Sequence, residues 1–567
     1  MDARRMILVV VFTFSLIMLW ENWTRHNQPK EPVTAGTSAQ VTAVPTPSAS
    51  APVAPGASAP VASPTAAPNT GYANLPNAVV RTDMLVAEVS ALGGDISRLE
   101  LLKHQATGDA SQNFVLLDAT GGHRYVANGG LIGEGLPNHK TIFELTPGEF
   151  SLADGQDKLE LRLKARAENG VEVTKVLSFH RGSYEIGVAY EVNNTGTVPL
   201  NTTTYFQLAR DDKPAEQAGG FFTGVTTYTG PAFYTNETKF RKESFSDIAK
   251  EKTSFLERKV DGKGNVVLNR QANDGWVAMV QHYFVGAYLP QGDVPREFYG
   301  RNVNGDYSVG VMLPMTVVPG QQGRIEVPLY VGPQEQKKLA NIAPGFDLVV
   351  DYGWLTVIAA PLFWLLEFIH RFVGNWGWAI IIVTILLKGA FFPLSAAGYK
   401  SMAKMKTLMP RMKQLQERYA GDRMKLNQEM MELYRKEKVN PMGGCLPILV
   451  QIPVFIALYW VLLGTVEMRQ APWIGWIRDL SQMDPYYVLP VLNGITMFIQ
   501  TKLNPTPPDP IQAKVMLFMP LMFTVMFLWF PSGLVLYWVV NNLLSIAQQW
   551  YINRMIESGS GAAKPAK

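Results

Sequence analysis

Between residues 376 and 552, five apolar runs (376–397, 445–464, 487–500, 515–530 and 534–552) contain no aspartate, no glutamate and no histidine. No other feature of the 567-residue chain restricts its fold as much. Inside hydrocarbon a backbone must satisfy its own N–H and C=O groups, so isolated runs of this kind become helices. A bilayer core of about 30 Å asks for roughly 20 residues per helix. The shorter runs therefore imply local thinning or neighbours that shield their ends. Only 17% of residues are charged, against about a quarter in a typical soluble protein.

The rest of the chain is built differently. Asp2-Ala3-Arg4-Arg5 precedes an apolar run at 6–20 that ends in Trp20-Glu21-Asn22-Trp23. Arginines before an apolar stretch fit a signal peptide or a signal anchor. No small-x-small site closes the run, and its aromatics suit a membrane interface. Residues 1–25 are read as an uncleaved anchor span; cleavage among the alanines after Thr34 is the alternative. Residues 26–76, rich in Pro, Ala and Ser, cannot bury enough apolar surface to offset their ordering entropy and read as a tether. From 77 to 345 the period becomes two. Leu159, Leu161, Leu163 and Ala165 alternate with Glu160, Arg162 and Lys164, and Asn169-Gly170 marks a hairpin turn before Val171 and Val173. Short strands with turn signals over this length predict an all-β sandwich domain.

Charge sets the topology. Residues 399–440 hold eleven Lys/Arg against five Asp/Glu, so this loop belongs in the cytoplasm. If 346–371 also spanned, the basic loop would face outward. An amphipathic helix lying in the interface at 346–371 keeps every loop consistent. Loop 465–485, at −1, then faces out; loop 501–514, at +1, and the tail after Ile552, at +2, face in. The expected fold is a polytopic α-helical membrane protein with six spans and both termini cytoplasmic. It carries a large external all-β sandwich domain, a membrane core at 372–556, and a cytoplasmic tail at 557–567. Within 399–440, residues 401–419 and 422–438 read as a helical hairpin broken at Ala420-Gly421. Met402, Met405, Met409 and Met412 on the first helix, with Met424, Met430 and Met431 on the second, suit its seam or an adaptable apolar surface.

The spans hold one charge, Lys388. On a continuous helix it lies twelve residues, or roughly 18 Å, from Trp376 and from Lys400. That is beyond the reach of snorkelling, and an unpaired charge there costs at least about 2.5 kcal/mol. With no acid in the bundle, a water-filled cavity is the economical solution. Thr384, one turn earlier, shares its face. Gln451, Asn541 and Asn542 are further candidates to line the groove, with Asn493, Thr496, Ser545, Gln548 and Gln549 as other polar groups on the spans. Each has a plainer reading as interhelical glue.

Catalytic signatures are missing. No P-loop, Rossmann glycine pattern, HExxH or nucleophile elbow occurs. His26, His104, His123, His139, His180, His282 and His370 lack ligand-like spacing, and the single cysteine, Cys445, excludes an intramolecular disulfide framework and multi-cysteine zinc. No metal, no cofactor and no enzymatic activity are expected, and a net charge of +4 does not suggest DNA binding.

The segments Glu437-Lys-Val-Asn-Pro-Met-Gly-Gly-Cys-Leu-Pro447, Val450-Gln-Ile-Pro-Val-Phe455, Arg469-Gln-Ala-Pro472, Asp484-Pro-Tyr-Tyr487 and Phe527-Leu-Trp-Phe-Pro-Ser-Gly-Leu-Val-Leu-Tyr537 resemble the YidC family of membrane protein insertases, in the long form of Gram-negative inner membranes. The resemblance covers nearly all of 346–556. It implies a five-helix insertase core with a hydrophilic groove open to cytoplasm and lipid and closed outward, and a periplasmic β domain. Lys388 matches a position usually held by arginine, so charge attraction survives but a bidentate grip does not. Ile452, Phe455 and Trp538 match positions lining the substrate's exit path, the last being usually tyrosine. Implied partners are nascent membrane proteins, the Sec translocon (SecYEG, SecDF), the ribosome and membrane lipids. The competing reading is a secondary transporter or channel, which would need an outward path and, ideally, a coupling acid that the spans lack.

Overall fold

The alternation at Leu159–Ala165 has a direct structural counterpart: in the strand Lys158–Arg166, Leu161, Leu163 and Ala165 are buried while Glu160, Arg162 and Lys164 are exposed. The structure is a computed structural model that describes residues 44–47, 72, 75–106, 109, 111–119, 123–167, 170–213, 228–260, 266–419, 421–437, 446–504 and 510–560. The anchor at 1–25, most of the tether, His26, Asn169, Ala420, Cys445 and the tail beyond 560 lie outside the described residues. Those residues fall into two units that divide between Asp351 and Tyr352.

In the first unit, nineteen strands among the described residues make two sheets. The larger has eleven, in the order Glu257–Val260, Val266–Ala272, Arg296–Val303, Asp306–Val317, Leu200–Asp211, Tyr125–Ile132, Asn113–Asp118, Ile96–Gln105, Leu85–Ser90, Asn77–Arg81 and Gly148–Ser151. The smaller has eight, in the order Arg241–Lys242, Gly230–Tyr234, Trp276–Gln281, Phe284–Tyr288, Gln322–Pro333, Glu185–Asn194, Val171–His180 and Lys158–Arg166. All pairings are antiparallel except Asn77–Arg81 with Gly148–Ser151. Inward residues of both sheets, among them Phe206, Leu208, Val309, Val285 and Ile186, share one apolar cluster, which makes this a sandwich. Two short helices, α1 (Phe245–Ala249) and α2 (Gln336–Ile342), complete the unit. Gly170 takes φ +79°, the left-handed conformation that the turn before Val171 demands.

One buried ion pair interrupts this core. Lys175 and Asp95 are 2% and 0% exposed, with Nζ and Oδ1 4.0 Å apart. Nζ donates to the Gly93 carbonyl at 3.0 Å, and the Tyr72 hydroxyl donates to Asp95 Oδ2 at 2.9 Å. Burial raises the Asp95 carboxyl to about 7, against the pull of Lys175, and lowers the Lys175 ammonium to about 8.

The second unit contains α3 (Thr356–Val373), α4 (Trp376–Ala390), α5 (Phe392–Arg418), α6 (Arg423–Lys436), α7 (Leu446–Gly464), α8 (Val488–Leu503), α9 (Pro510–Phe527) and α10 (Ser532–Ser560). The helix read at 346–371 is shifted: two 3-10 turns occupy Phe346–Val349 and Gly353–Leu355, and α3 follows. Its Ala359, Leu362, Leu366 and Ile369 are buried as it packs on α4 and α7, while Val357, Trp364 and Phe372 are exposed. Among the described residues α3 is the one single helix long and apolar enough to cross a membrane; α4 and α5 meet that measure as a pair bent by 65°. Helix α10 packs on α4, α5 and α8, and α8 on α9, where Gly494 lets Thr524 approach closer than any Cβ would allow.

The hairpin is formed by α5 and α6, but α5 starts nine residues before the expected 401. Asp422 caps α6 by accepting from the Met424 and Lys425 amides. Met405, Met412 and Met430 sit in the seam with Leu408, Leu433 and Tyr434, whereas Met424 and Met431 are exposed.

Candidate functional site

The run 376–397 reads as one helix with Lys388 near its middle. The structure corrects this: α4 ends at Ala390 and the chain bends by 65° into α5. Pro393 carries no N–H, so a continuous helix would leave the Gly389 carbonyl without its donor. The bend puts Lys388 in the last turn of α4, where free carbonyls and the negative end of the helix dipole favour a cation by roughly 0.3–2 kcal/mol. Gln548 of α10 donates to the Lys388 carbonyl at 3.3 Å, partly meeting one of those acceptors.

The ammonium itself is buried, at 5% exposure, and donates to Ser545 Oγ at 2.8 Å. Ser545 in turn donates to the Asn541 carbonyl, one turn back on α10. Among the described residues no carboxylate lies within ion-pair distance of Lys388. A small concavity, with about 10 Å³ for the centre of a water-sized sphere, opens beside it, lined by Thr384, Leu387, Lys388, Phe391, Gln451, Val454, Tyr537 and Asn541. Three helices (α4, α7 and α10) thus bring Lys388, Thr384, Gln451 and Asn541 together. The Thr384 hydroxyl is spent on its own helix, donating to the Ile380 carbonyl.

Asn542 is placed elsewhere. One residue along a helix turns the side chain by about 100°, so Asn541 and Asn542 cannot share a face. The Asn542 amide donates to Asn493 Oδ1 at 3.0 Å and to Thr496 Oγ1 at 3.3 Å, joining α10 to α8. Gln549 likewise donates to the Leu503 carbonyl and Asn504. Of the three residues expected on an exit path, Phe455 and Trp538 are in ring contact at 4.7 Å, and Ile452, one turn before Phe455 on α7, is 42% exposed. Trp538 Nε1 is buried without a partner among the described residues.

Loop 465–485 is tied down at the other end of the bundle. Asp484, 1% exposed, accepts from Trp476 Nε1 and from the Tyr486 and Leu489 amides, capping α8. The Ser532 and Gly533 amides donate to the Gln482 and Leu480 carbonyls, fixing the start of α10 to the loop. Sequence reading missed the bend at Phe391 and the contributions of Phe391 and Tyr537 to the cavity wall; Pro393 was the available signal for the first.

Three of the described histidines have protein partners. His123 pairs with Asp211, His139 is bonded to the Tyr205 hydroxyl, and His370 stacks on Trp376. Among the described residues no cluster of three or more His, Cys, Asp or Glu side chains could hold a metal.

The site is thus a buried cation beside a small concavity among largely apolar helices. Comparison with known proteins makes this specific. The YidC periplasmic domain family matches residues 77–365, and the 60Kd inner membrane protein family matches 368–559. The membrane protein insertase YidC of Aromatoleum aromaticum is 60% identical over 569 aligned residues, covering all of both chains. That of Dechloromonas aromatica is 55% identical, again over the whole of both. A crystal structure of an active YidC insertase with its first transmembrane domain covers 85% of this chain at 18% identity and a TM-score of 0.39. The chain belongs to the YidC family of inner-membrane insertases. It is a membrane protein insertase with a periplasmic β domain, not an enzyme, and the transporter or channel reading is not favoured.

Proposed function

We propose that the cavity beside Lys388 receives the polar, acidic flank of an incoming hydrophobic segment, which then leaves past Ile452, Phe455 and Trp538 into lipid. The observation that carries this reading is a buried ammonium whose side-chain partner among the described residues is the neutral hydroxyl of Ser545. Opposite charges 4 Å apart attract by about 4 kcal/mol at an effective dielectric of 20, against about 1 kcal/mol in bulk water. A carboxylate arriving at Lys388 thus gains more than it would at an exposed lysine, provided the cavity still solvates it. Neutral polar groups from Gln451 and Asn541 supply that solvation and lower the cost, several kcal/mol per unsatisfied group, of carrying polar atoms into hydrocarbon. Transfer of the apolar segment into lipid then proceeds with about 25 cal/mol per Å² of buried surface.

In this reading the chain has six spans with both termini cytoplasmic, α3 lies in the interface, and the basic hairpin of α5 and α6 faces the cytoplasm. Its charge suits a ribosomal RNA or anionic lipid surface. The Sec translocon is the proposed partner for larger clients. Tethering of loop 465–485 to the start of α10 supports a site closed on the outer side.

Site-specific crosslinking from positions 388, 455 and 538 to a stalled nascent membrane protein tests the path. Crosslinks to the acidic flank at 388 and to the apolar segment at 455 and 538 are expected. Normal insertion of a small acid-flanked client by Lys388→Glu would remove the electrostatic step.

A further inference from the structure

Four described tether residues lie well upstream of Tyr72, the tether residue that bonds Asp95. Val44-Pro45-Thr46-Pro47 lies in the same unit as the β domain, on its larger sheet. Arg301 Nη1 donates to the Val44 carbonyl at 2.9 Å and Asn269 Nδ2 to the Thr46 carbonyl at 3.3 Å. Val44 packs on a floor of Tyr205, Tyr299 and Met312, all at most 2% exposed, and Pro45 is buried.

The sheet register explains why these residues form a site. Asn269 faces Tyr299 across one strand pair, Glu297 faces Met312 across the next, and Met312 faces Tyr205 across the third. Arg301 is two residues beyond Tyr299. Period-two alternation puts all of these side chains on one face, opposite to the Phe206 and Val309 side chains that enter the sandwich core. Glu297 accepts from Asn269 Nδ2 at 2.5 Å, which orients the amide, and the Arg301 guanidinium lies over the Tyr299 ring at 5.9 Å.

The tether sequence matches that face at this one place. Its prolines are spaced by three or more residues everywhere except Pro45 and Pro47, and only there does a β-branched pair precede them. A residue before proline is driven to extended backbone, so Val44 and Thr46 present their carbonyls already in the conformation that Arg301 and Asn269, on neighbouring strands, can read. Proline-containing extended peptides docked on aromatic floors are a recurrent recognition mode because little entropy remains to be lost.

We propose that the outer face of the larger sheet is a recognition site for an extended, proline-spaced peptide and that the chain's own Val44-Pro45-Thr46-Pro47 occupies it in cis. Docking divides the tether. Between Trp20 and Val44 lie 23 residues, whereas 51 separate Trp20 from Tyr72, the tether residue held by Asp95. At 3.3–3.6 Å per residue the maximum leash falls from roughly 170 Å to roughly 80 Å. The strap therefore sets how far the β domain can stray from the N-terminal apolar run.

The test is a double electron–electron resonance distance in the full-length protein in nanodiscs, with Cys445→Ala and spin labels at Thr46→Cys and Lys158→Cys. A narrow distribution is expected. Val44→Asp, which sets a charge against the Tyr205, Tyr299 and Met312 floor, and Arg301→Ala, which removes a carbonyl donor, should each broaden it by at least about threefold, toward that of a free linker. Val44→Asp lies in the tether, so the sheet stays folded and circular dichroism checks this. A distribution already broad in the native sequence, or one left narrow by either variant, overturns the proposal.

Discussion

Among the described residues two lysines are buried, one in each unit, and their surroundings differ in one respect. Lys175 has a carboxylate, Asp95, at 4.0 Å, together with the Gly93 carbonyl and the face of Tyr190. Lys388 has the hydroxyl of Ser545 and a polar cavity. The first charge is balanced inside the fold, and its role is complete there. The second has a neutral hydroxyl as its side-chain partner among the described residues, and in the proposed function the client brings the balancing charge. Burying a cation is costly in both places; in that reading the difference lies in whether the fold or the client supplies the anion.

Breaking the balanced pair should have the largest effect. Asp95→Ala strands a buried ammonium and should destabilise the β domain by about 3–5 kcal/mol, measured by chemical unfolding of the purified full chain. Asp95→Asn combined with Lys175→Met removes both charges and should be neutral or stabilising. If the single and double variants were equally unstable, Asp95 would be packing the core rather than balancing Lys175.

The same pair predicts a pH profile. A folded carboxyl raised to about 7 from its ordinary 3.8 holds its proton longer than the unfolded one, so stability falls as pH rises through that interval. A folded ammonium lowered to about 8 from 10.5 sheds its charge earlier than the unfolded one, so stability recovers as pH rises from 8 to 10.5. The unfolding midpoint of the β domain should therefore be lowest between about 7 and 8, with that trough flattened in the double variant.

The unbalanced lysine should show smaller effects on a different readout. Lys388→Glu should slow insertion of an acid-flanked client at least tenfold, about 1.4 kcal/mol, and leave the β-domain unfolding midpoint unchanged. Lys388→Arg should insert normally, because the cavity asks for charge rather than for an ammonium. Ser545→Ala, which removes the hydroxyl that accepts from Lys388, should cost about 1 kcal/mol of the same activity. Equal losses for acid-flanked and neutral-flanked clients would mean that Lys388 positions helices instead of attracting charge.

Much of the fold was legible because its signals are local. The alternation around Leu161 identifies a strand, and the structure has that strand at Lys158–Arg166. The residues at which sequence reading went astray depended on a neighbour. The helix at 376–397 looked continuous because its apolar composition outweighs a single proline, yet α4 ends two residues after Lys388, ahead of Pro393, and Gln548 donates to the Lys388 carbonyl. Asn541 and Asn542 look equivalent in sequence, and only the rotation of α10 sends one to the cavity and the other to Asn493. The interfacial helix was expected to begin near residue 346, where the apolar character starts, but two 3-10 turns delay α3 to Thr356.

Composition and periodicity alone therefore determined a helical membrane unit and an all-β domain, and they singled out Lys388 as the one charge in the apolar runs. These follow from hydrophobic transfer and backbone satisfaction, which act residue by residue. Tertiary structure decided which polar groups face that lysine, that no described carboxylate balances it, and that four tether residues lie on the β sheet. Such facts depend on distances between segments far apart in the chain, set by how helices rotate and strands register against each other.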